Sequence, residues 1–214
     1  MTFASLDPYT LLLALSGGIL PALIWLWFWL TEDTVHPEPR RMIMFAFLAG
    51  MIVVPIAFFA EKISFSYLGS GFIIILVWAA IEEILKYGGA YAVAFRGICL
   101  DKSRFVDEPL DPLIYMITVA LGLSALENTL FLISPFLSGD TMSGVLTGNL
   151  RFIGATLLHV VASGAIGLFK GLSFYKSNAV KRTYFVVGIT IAIALHALFN
   201  LSIIISKGEN IFLI

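Results

Sequence analysis

Long apolar stretches alternate with short polar segments along almost the whole chain. Six of the apolar stretches are long enough to cross the roughly 30 Å hydrocarbon core of a bilayer as helices. They cover residues 9–30, 42–60, 71–95, 110–135, 149–174 and 183–206. The pattern predicts an all-α, polytopic membrane protein with about six transmembrane helices in one bundle.

The segments between the apolar stretches contain turn and helix-breaking residues. They are TEDTVHPEPRR (31–41), SFSYLGS (64–70), RGICLDKSRFVDEPLDP (96–112), SGDTMSG (138–144) and KSNAVKR (176–182). None is large enough for a separate soluble domain, so residues 1–214 are predicted to form a single integral membrane domain. Its motif-bearing core covers about residues 71–206.

Amino-acid composition supports the prediction of a membrane protein, and the net charge bears on whether the chain binds nucleic acid. Hydrophobic residues make up 59% of the chain and charged residues 13%, about half the charged content of a typical soluble domain. The formal net charge is −1, which gives no overall attraction to nucleic acid. We therefore expect the lipid bilayer as the surroundings and no nucleic-acid partner.

The distribution of Lys and Arg predicts the orientation of the helices. If the N-terminus is outside, nine basic residues fall in the inner segments and only Lys62, Arg151 and Lys207 fall on the outer side. This bias predicts that both termini are extracytoplasmic.

Deep within the predicted spans, ionisable residues are few and lie at one depth. They are Glu82, Glu83, Lys86, Glu127, His159 and His196. Counted at 1.5 Å per residue from the predicted outer ends, the glutamates and histidines lie about 12–17 Å below the outer face. An ionised side chain at the bilayer centre costs at least about 2.5–3.5 kcal/mol. Four helices that share this cost in one layer predict a common functional site.

Spacing within the helices suggests how these residues pair. Glu82 and Lys86 are four residues apart and are expected to form an ion pair, which leaves Glu83 free for another partner. His196 and Asn200 share a helix face in the same way. Arg151 near the outer end of its span is expected to be an interfacial anchor or an orienting charge.

Two chemistries suit this set, and both are hydrolytic. In the first, Glu127, His159 and His196 hold a Zn²⁺ ion in an open site, with Glu83 as a further possible ligand or proton acceptor. In the second, no metal is needed: a buried glutamate beside Lys86 activates water, while His196 and Asn200 stabilise the oxyanion. The residues predict a metallo- or glutamate-type hydrolase.

Four segments in order resemble one known family. They are EEILK (82–86), DEPLDPLIY…LGLSALEN (107–128), RFIGATLLHVVASGAIG (151–167) and LHALFN (195–200). They resemble the motifs of the PrsW intramembrane proteases, bacterial relatives of the CAAX prenyl proteases and, more remotely, of the gamma-secretase scaffold subunit. Leu123 departs from the pattern, because the family often has an aromatic residue there.

The resemblance implies a function and a role for each matched residue. It implies cleavage of single-span membrane proteins, such as anti-sigma factors, near the outer face of a bacterial or archaeal cytoplasmic membrane. It implies Glu82 and Glu83 as catalytic carboxylates with Lys86 as their charge partner. Glu127, His159 and His196 would be metal ligands or water-activating groups.

Two other functions are compatible with buried carboxylates and imidazoles. A proton- or ion-coupled transporter uses such residues along its pathway, although the inner halves of the predicted spans hold few of them. A non-catalytic scaffold that binds another protein's helix is the second alternative, and the intact carboxylate pair argues against it.

Overall fold

In the computed structural model, residues 7–32, 36–95 and 106–207 are described, and every regular element within these ranges is helical. The α-helices are α1 (Pro8–Glu32), α2 (Arg40–Leu68), α3 (Phe72–Ala90), α4 (Asp111–Leu137), α5 (Thr141–Ile153), α6 (Ala155–Leu172) and α7 (Asn178–Lys207). A π-helical turn, Tyr91–Phe95, continues α3. The prediction of an all-α membrane protein is confirmed.

Each predicted span coincides with helical structure. Within the described ranges, five segments are long and apolar enough to cross a membrane: α1, α2, α4, α5 with α6, and α7. The remaining predicted span is α3, which differs from the others because it carries Glu82, Glu83 and Lys86. Residues 96–105 of the longest predicted loop lie outside the described residues.

Helices α2 and α7 are longer than the hydropathy pattern predicted, and α5 begins at Thr141, within the predicted loop 138–144. Helix α2 continues to Leu68 and ends at Gly69, whose φ of 66° favours glycine. Helix α7 begins at Asn178, so the predicted loop 176–182 is largely helical. These extra turns contain polar and charged residues among the apolar ones, which lowers their mean hydropathy to that of a loop.

The predicted fifth span, 149–174, is divided between two helices. Asp140 caps α5 by accepting a hydrogen bond from the backbone N–H of Ser143 at 2.9 Å. Helix α5 ends at Ile153, and α6 starts after Gly154. The chain therefore crosses this side of the bundle as a short amphipathic helix followed by a longer one.

Helix α4 is the centre of the bundle. It packs against α1, α2 and α6, and its side chains are buried around most of its circumference. Contact with α2 is close because Gly50 and Gly122 lie at the crossing. A Cβ at Gly122 would collide with the carbonyl oxygen of Phe47, and a Cβ at Gly50 with that of Val119.

Helices α3, α6 and α7 complete the bundle on the other side of α4. Helix α3 packs against α2 and α7, and α7 packs against α6. The end of α3 is held by Lys170 of α6, whose Nζ lies 4.6 Å from the ring centroid of Phe95 and 5.4 Å from that of Tyr87. This packing leaves α3, α4, α6 and α7 facing one another where the ionisable residues lie.

Candidate functional site

The ionisable residues predicted at one depth meet in a single cluster. Helix α3 contributes Glu82, Glu83 and Lys86, and Glu127, His159 and His196 come from α4, α6 and α7 in turn. The two imidazole rings are in contact, with centroids 5.2 Å apart and an angle of 81° between their planes. Four helices thus build one polar centre in an otherwise apolar bundle.

Glu83 is the most enclosed carboxylate of the cluster. Its Oε1 accepts hydrogen bonds from Lys86 Nζ at 2.5 Å and from His196 Nδ1 at 2.8 Å. Its Oε2 accepts one from Ser163 Oγ at 2.8 Å. Glu83 and Lys86 are both fully buried. These donors satisfy both oxygens of a charge that would otherwise be very costly to bury.

The expected pairing of Glu82 with Lys86 is therefore wrong. Lys86 pairs with Glu83, three residues away rather than four. Positions three and four residues before Lys86 are both within its reach on a helix. The choice depends on which face of α3 packs against α6 and α7, and that face carries Glu83.

The hydrogen bond to Glu83 determines the tautomer of His196. An ionised carboxylate can only accept hydrogen bonds, so Nδ1 of His196 carries the proton. The lone pair of the ring then lies on Nε2, which is 3.8 Å from Glu82 Oε1. His196 is 2% exposed, so competing contacts with solvent are few.

His159 is held in the opposite tautomer. Its Nε2 lies 3.0 Å from Glu127 Oε2 and donates to that carboxylate. Its Nδ1 lies 3.2 Å from Lys86 Nζ, which can only donate, so Nδ1 carries the lone pair. This lone-pair nitrogen is 3.9 Å from Glu82 Oε2.

Glu82 lies between the two lone-pair nitrogens. One carboxylate oxygen of Glu82, one ring nitrogen of His159 and one ring nitrogen of His196 all lie within 4.8 Å of one another. Glu82 Oε2 is buried and has no hydrogen-bond partner among the residues that the structure describes. A buried acceptor without a partner is rare in a folded protein and marks a place where another molecule or ion belongs.

The donor atoms of this group suit a divalent transition metal. Two imidazole nitrogens and one carboxylate oxygen form a common ligand set for an open zinc site. Each histidine also donates its other N–H to a carboxylate, an arrangement typical of metal-bound histidines. Lys86 Nζ is 3.2 Å from Nδ1 of His159, and this contact would have to open when a metal binds. The residues therefore fit a metal, with one local adjustment.

Glu127 lies behind His159 rather than among the three converging donors. Its Oε2 contacts Nε2 of His159, the nitrogen that points away from Glu82, and is also 2.9 Å from an NH2 nitrogen of Arg151. Asn200 is 8% exposed and lies one turn beyond His196 on α7.

Reading the sequence missed Ser163 and the hydroxyl network near Glu127. The position of Ser163, four residues after His159, was the available signal, because the two share one face of α6. Thr156 and Ser124, 2.8 Å apart, link α6 to α4 in a similar way.

Comparison with known proteins gives the cluster a context. The sequence profile of the PrsW family intramembrane metalloproteases matches residues 38–214. A protein from Geobacillus kaustophilus named Protease PrsW is 29% identical over 177 residues, which are 80% of this chain and 70% of that protein. No solved structure matches the chain significantly.

Two further relatives have the same name. Protease PrsW of Bacillus subtilis is 24% identical over 189 residues, 87% of this chain and 80% of that protein. Protease PrsW of Oceanobacillus iheyensis is 26% identical over 201 residues, 92% of this chain and 85% of that protein. The profile covers most of the chain, including every helix of the cluster, and the chain therefore belongs to the PrsW family of intramembrane metalloproteases.

Proposed function

We propose that this intramembrane protease cleaves single-span membrane proteins near the outer face of the membrane, at the centre formed by Glu82, His159 and His196. The observation that carries the proposal is the convergence of these donors within 4.8 Å around an unpartnered, buried carboxylate oxygen. The outward location follows from the predicted orientation of the helices.

We further propose that Glu82 Oε1, His159 Nδ1 and His196 Nε2 hold a Zn²⁺ ion, which leaves Oε2 of Glu82 available to the substrate water. When bound, such an ion lowers the pKa of water toward neutrality and polarises the substrate carbonyl. This ligand set replaces Glu127 of the sequence-based prediction with Glu82. The reason is that Glu127 contacts the nitrogen of His159 that faces away from the other donors.

Glu82, whose buried Oε2 has no hydrogen-bond partner among the described residues, and Asn200, one turn beyond His196, are suited to act on the substrate. Glu82 Oε2 takes a proton from the attacking water as its oxygen bonds to the carbonyl carbon. The side-chain amide of Asn200 donates a hydrogen bond to the resulting oxyanion. When the C–N bond breaks, Glu82 Oε2 returns the proton to the leaving amine, which regenerates the carboxylate.

Glu83 and Glu127 act through the histidines rather than on the substrate. Glu83 holds His196 through Nδ1, and Glu127 holds His159 through Nε2. Each keeps one ring nitrogen unprotonated and directed toward Glu82. We therefore assign both as positioning residues, and Lys86 neutralises the buried charge of Glu83.

The proposed substrates follow from the surroundings of the site. The cluster lies within a bundle of apolar helices, so a peptide bond reaches it most readily from a segment that is itself in the membrane. Single-span proteins of the anti-sigma-factor type in a bacterial cytoplasmic membrane meet this requirement. The relatives are named as proteases, which favours this function over a transporter or a silent scaffold.

Replacing Glu82 with Gln tests the proposed function directly. The amide cannot accept the proton of water, so we expect cleavage of a single-span reporter substrate by the purified, reconstituted protein to fall roughly 10²–10⁴-fold. Asp7→Asn, a change at an exposed carboxylate that lies before all four motif segments, is the matched control and is expected to retain full activity. Undiminished cleavage by the Glu82→Gln protein would contradict the proposal.

A further inference from the structure

Arg151, in the last turn of α5, is held by three contacts with α4. Its Nε donates to Asn128 Oδ1 at 2.6 Å, and an NH2 nitrogen lies 2.9 Å from Glu127 Oε2. The guanidinium carbon is 3.9 Å from the ring centroid of Phe131. The side chain is only 17% exposed. An interfacial anchor would extend toward the lipid headgroups, whereas this side chain is directed into the bundle.

The same oxygen of Glu127 contacts both Arg151 and His159. Oε2 accepts from Nε2 of His159 at 3.0 Å and from Arg151 at 2.9 Å. A continuous chain of contacts therefore runs from the guanidinium through the carboxylate to the imidazole at the centre. The positive charge of Arg151 stabilises Glu127 as a carboxylate in a largely buried place.

Asn128 fixes the Nε side of the Arg151 guanidinium. Its Nδ2 donates to Ser124 Oγ at 3.2 Å and to Thr156 Oγ1 at 3.0 Å, which leaves Oδ1 to accept from Arg151. Ser124 lies on α4 and Thr156 on α6. The network therefore ties α5 to both helices that carry Glu127 and His159.

The break at Gly154 makes these contacts important for the placement of α5. Because α5 and α6 are separate helices, the orientation of α5 is not imposed by continuous helical geometry. Much of its remaining surface is apolar and exposed, as at Met142, Leu146 and Leu150. In the described part of the chain, Arg151 makes the polar contacts that connect α5 to Glu127.

We propose that Arg151 is a positioning residue of the active site. It keeps Glu127 on Nε2 of His159, and thereby holds the imidazole ring so that Nδ1 faces Glu82. Lys86 Nζ faces Nδ1 from the other side of the ring, so the contribution of Arg151 and Glu127 is the hydrogen bond at Nε2 and the orientation of the ring. The proposal deepens the proposed function, and it rests on that function only for the expected loss of cleavage.

The small number of histidines allows the tautomer to be observed directly. The chain contains three, and His36 is exposed and far along the chain from the site. Full-length protein labelled with ¹⁵N-histidine, in detergent micelles and treated with chelator, therefore gives three imidazole spin systems, assigned with His159→Gln and His36→Gln. In the wild type we expect His159 with the proton on Nε2 and His196 with the proton on Nδ1.

Arg151→Gln is the decisive variant. We expect the Nε2–H signal of His159 to move as its hydrogen bond to Glu127 is disturbed, as in Glu127→Gln, while Lys86 keeps the lone pair on Nδ1. His196 keeps the wild-type signals because Glu83 is unaffected. In reconstituted protein, kcat is expected to fall about 10–100-fold with little change in KM. Arg182→Gln, at an exposed arginine, is the matched control and should change neither measurement.

Arg151→Lys separates charge from geometry. Lysine keeps the positive charge but lacks the fork that reaches Asn128 and Glu127 together, so we expect His159 signals between those of the wild type and Arg151→Gln. This variant also carries the test if Arg151→Gln does not fold. His159 signals identical to the wild type in a folded Arg151 variant would overturn the proposal. Because the measurement needs neither metal nor substrate, it is independent of whether the proposed reaction is correct.

Discussion

At the scale of single residues, the two adjacent glutamates of α3 have different surroundings. Glu83 is fully buried and accepts from Lys86, His196 and Ser163. Glu82 is 14% exposed, and one of its oxygens is buried without a hydrogen-bond partner in the described part of the chain. A saturated carboxylate maintains the geometry of its neighbours, whereas an unsaturated one is available to water or a ligand.

This difference predicts how Glu83 and Lys86 contribute to stability. Glu83→Gln leaves the Lys86 ammonium buried without an opposite charge, so we expect a loss of about 3–5 kcal/mol of unfolding free energy. The double variant Glu83→Gln with Lys86→Met removes both charges and should recover much of that loss. Reversible denaturation in one detergent measures the effect.

The double variant also distinguishes stability from function. It should remain poorly active even when folded, because His196 loses the carboxylate that fixes its Nδ1 proton. Equal stabilities of the Glu83→Gln protein and the wild type would show that the pair is less enclosed than the structure indicates.

At the scale of helices, the site depends on how closely α2 approaches α4. Gly122 and Gly50 allow backbone contact at this crossing, where the carbonyl oxygens of Phe47 and Val119 occupy the space of a Cβ. Residues such as Phe47 and Val119 belong to the main apolar cluster of the bundle. A small shift of α4 would move Glu127 away from His159.

A pair of glycine substitutions tests this packing. Gly122→Ala forces a methyl group against the backbone of α2, and we expect it to lower the unfolding free energy by about 1–3 kcal/mol. Gly88→Ala in α3 is the matched control, since a Cβ there meets nothing within 4 Å. The control should be neutral or stabilising, because alanine favours a helix. Thermal denaturation of the two variants in the same detergent compares their stabilities. Equal losses of unfolding free energy would contradict the close packing of α2 against α4.

At the scale of the whole molecule, the proposed metal site joins three helices. Glu82 comes from α3, His159 from α6 and His196 from α7. An ion bound only by the folded protein stabilises that state by mass action. A metal held in this way would therefore affect both cleavage and stability.

Removing the metal is expected to reduce both the rate of cleavage and the stability of the protein. Treatment with a transition-metal chelator should abolish cleavage and lower the melting temperature, and added Zn²⁺ should restore both. The Glu82→Gln protein is the control, and its melting temperature should respond much less. If chelator leaves the wild type unchanged in both measurements, the metal assignment is wrong, and water activation by Glu82 alone becomes the better mechanism.

The predicted orientation is a second property of the whole molecule. It places the turn between α2 and α3 outside and the turn between α6 and α7 inside. In a Cys99→Ser background, Ser70→Cys should react with an impermeant maleimide in intact cells. Ser177→Cys, also exposed, should react only after permeabilisation. The opposite labelling pattern would reverse the proposed topology and place the site near the inner face.

Much of the architecture could be predicted because it depends on composition along the chain. Apolar stretches long enough to cross a bilayer must be helical, since backbone groups in lipid have to be hydrogen-bonded within the segment. The same argument identified the buried ionisable residues, because each is costly in such a helix. It could not predict the break at Gly154, where hydropathy is continuous across α5 and α6.

The amino-acid sequence thus determined the helices, the residues that carry chemistry and, through its motifs, the resemblance to a protease family. Only the tertiary structure decided which of them meet: that Lys86 pairs with Glu83, that Glu82 rather than Glu127 faces the two histidines, and that Arg151 holds Glu127. The physical reason is that helical periodicity fixes relations within one helix. The rotation of each helix against its neighbours, which selects partners across the bundle, is set by packing of the whole chain.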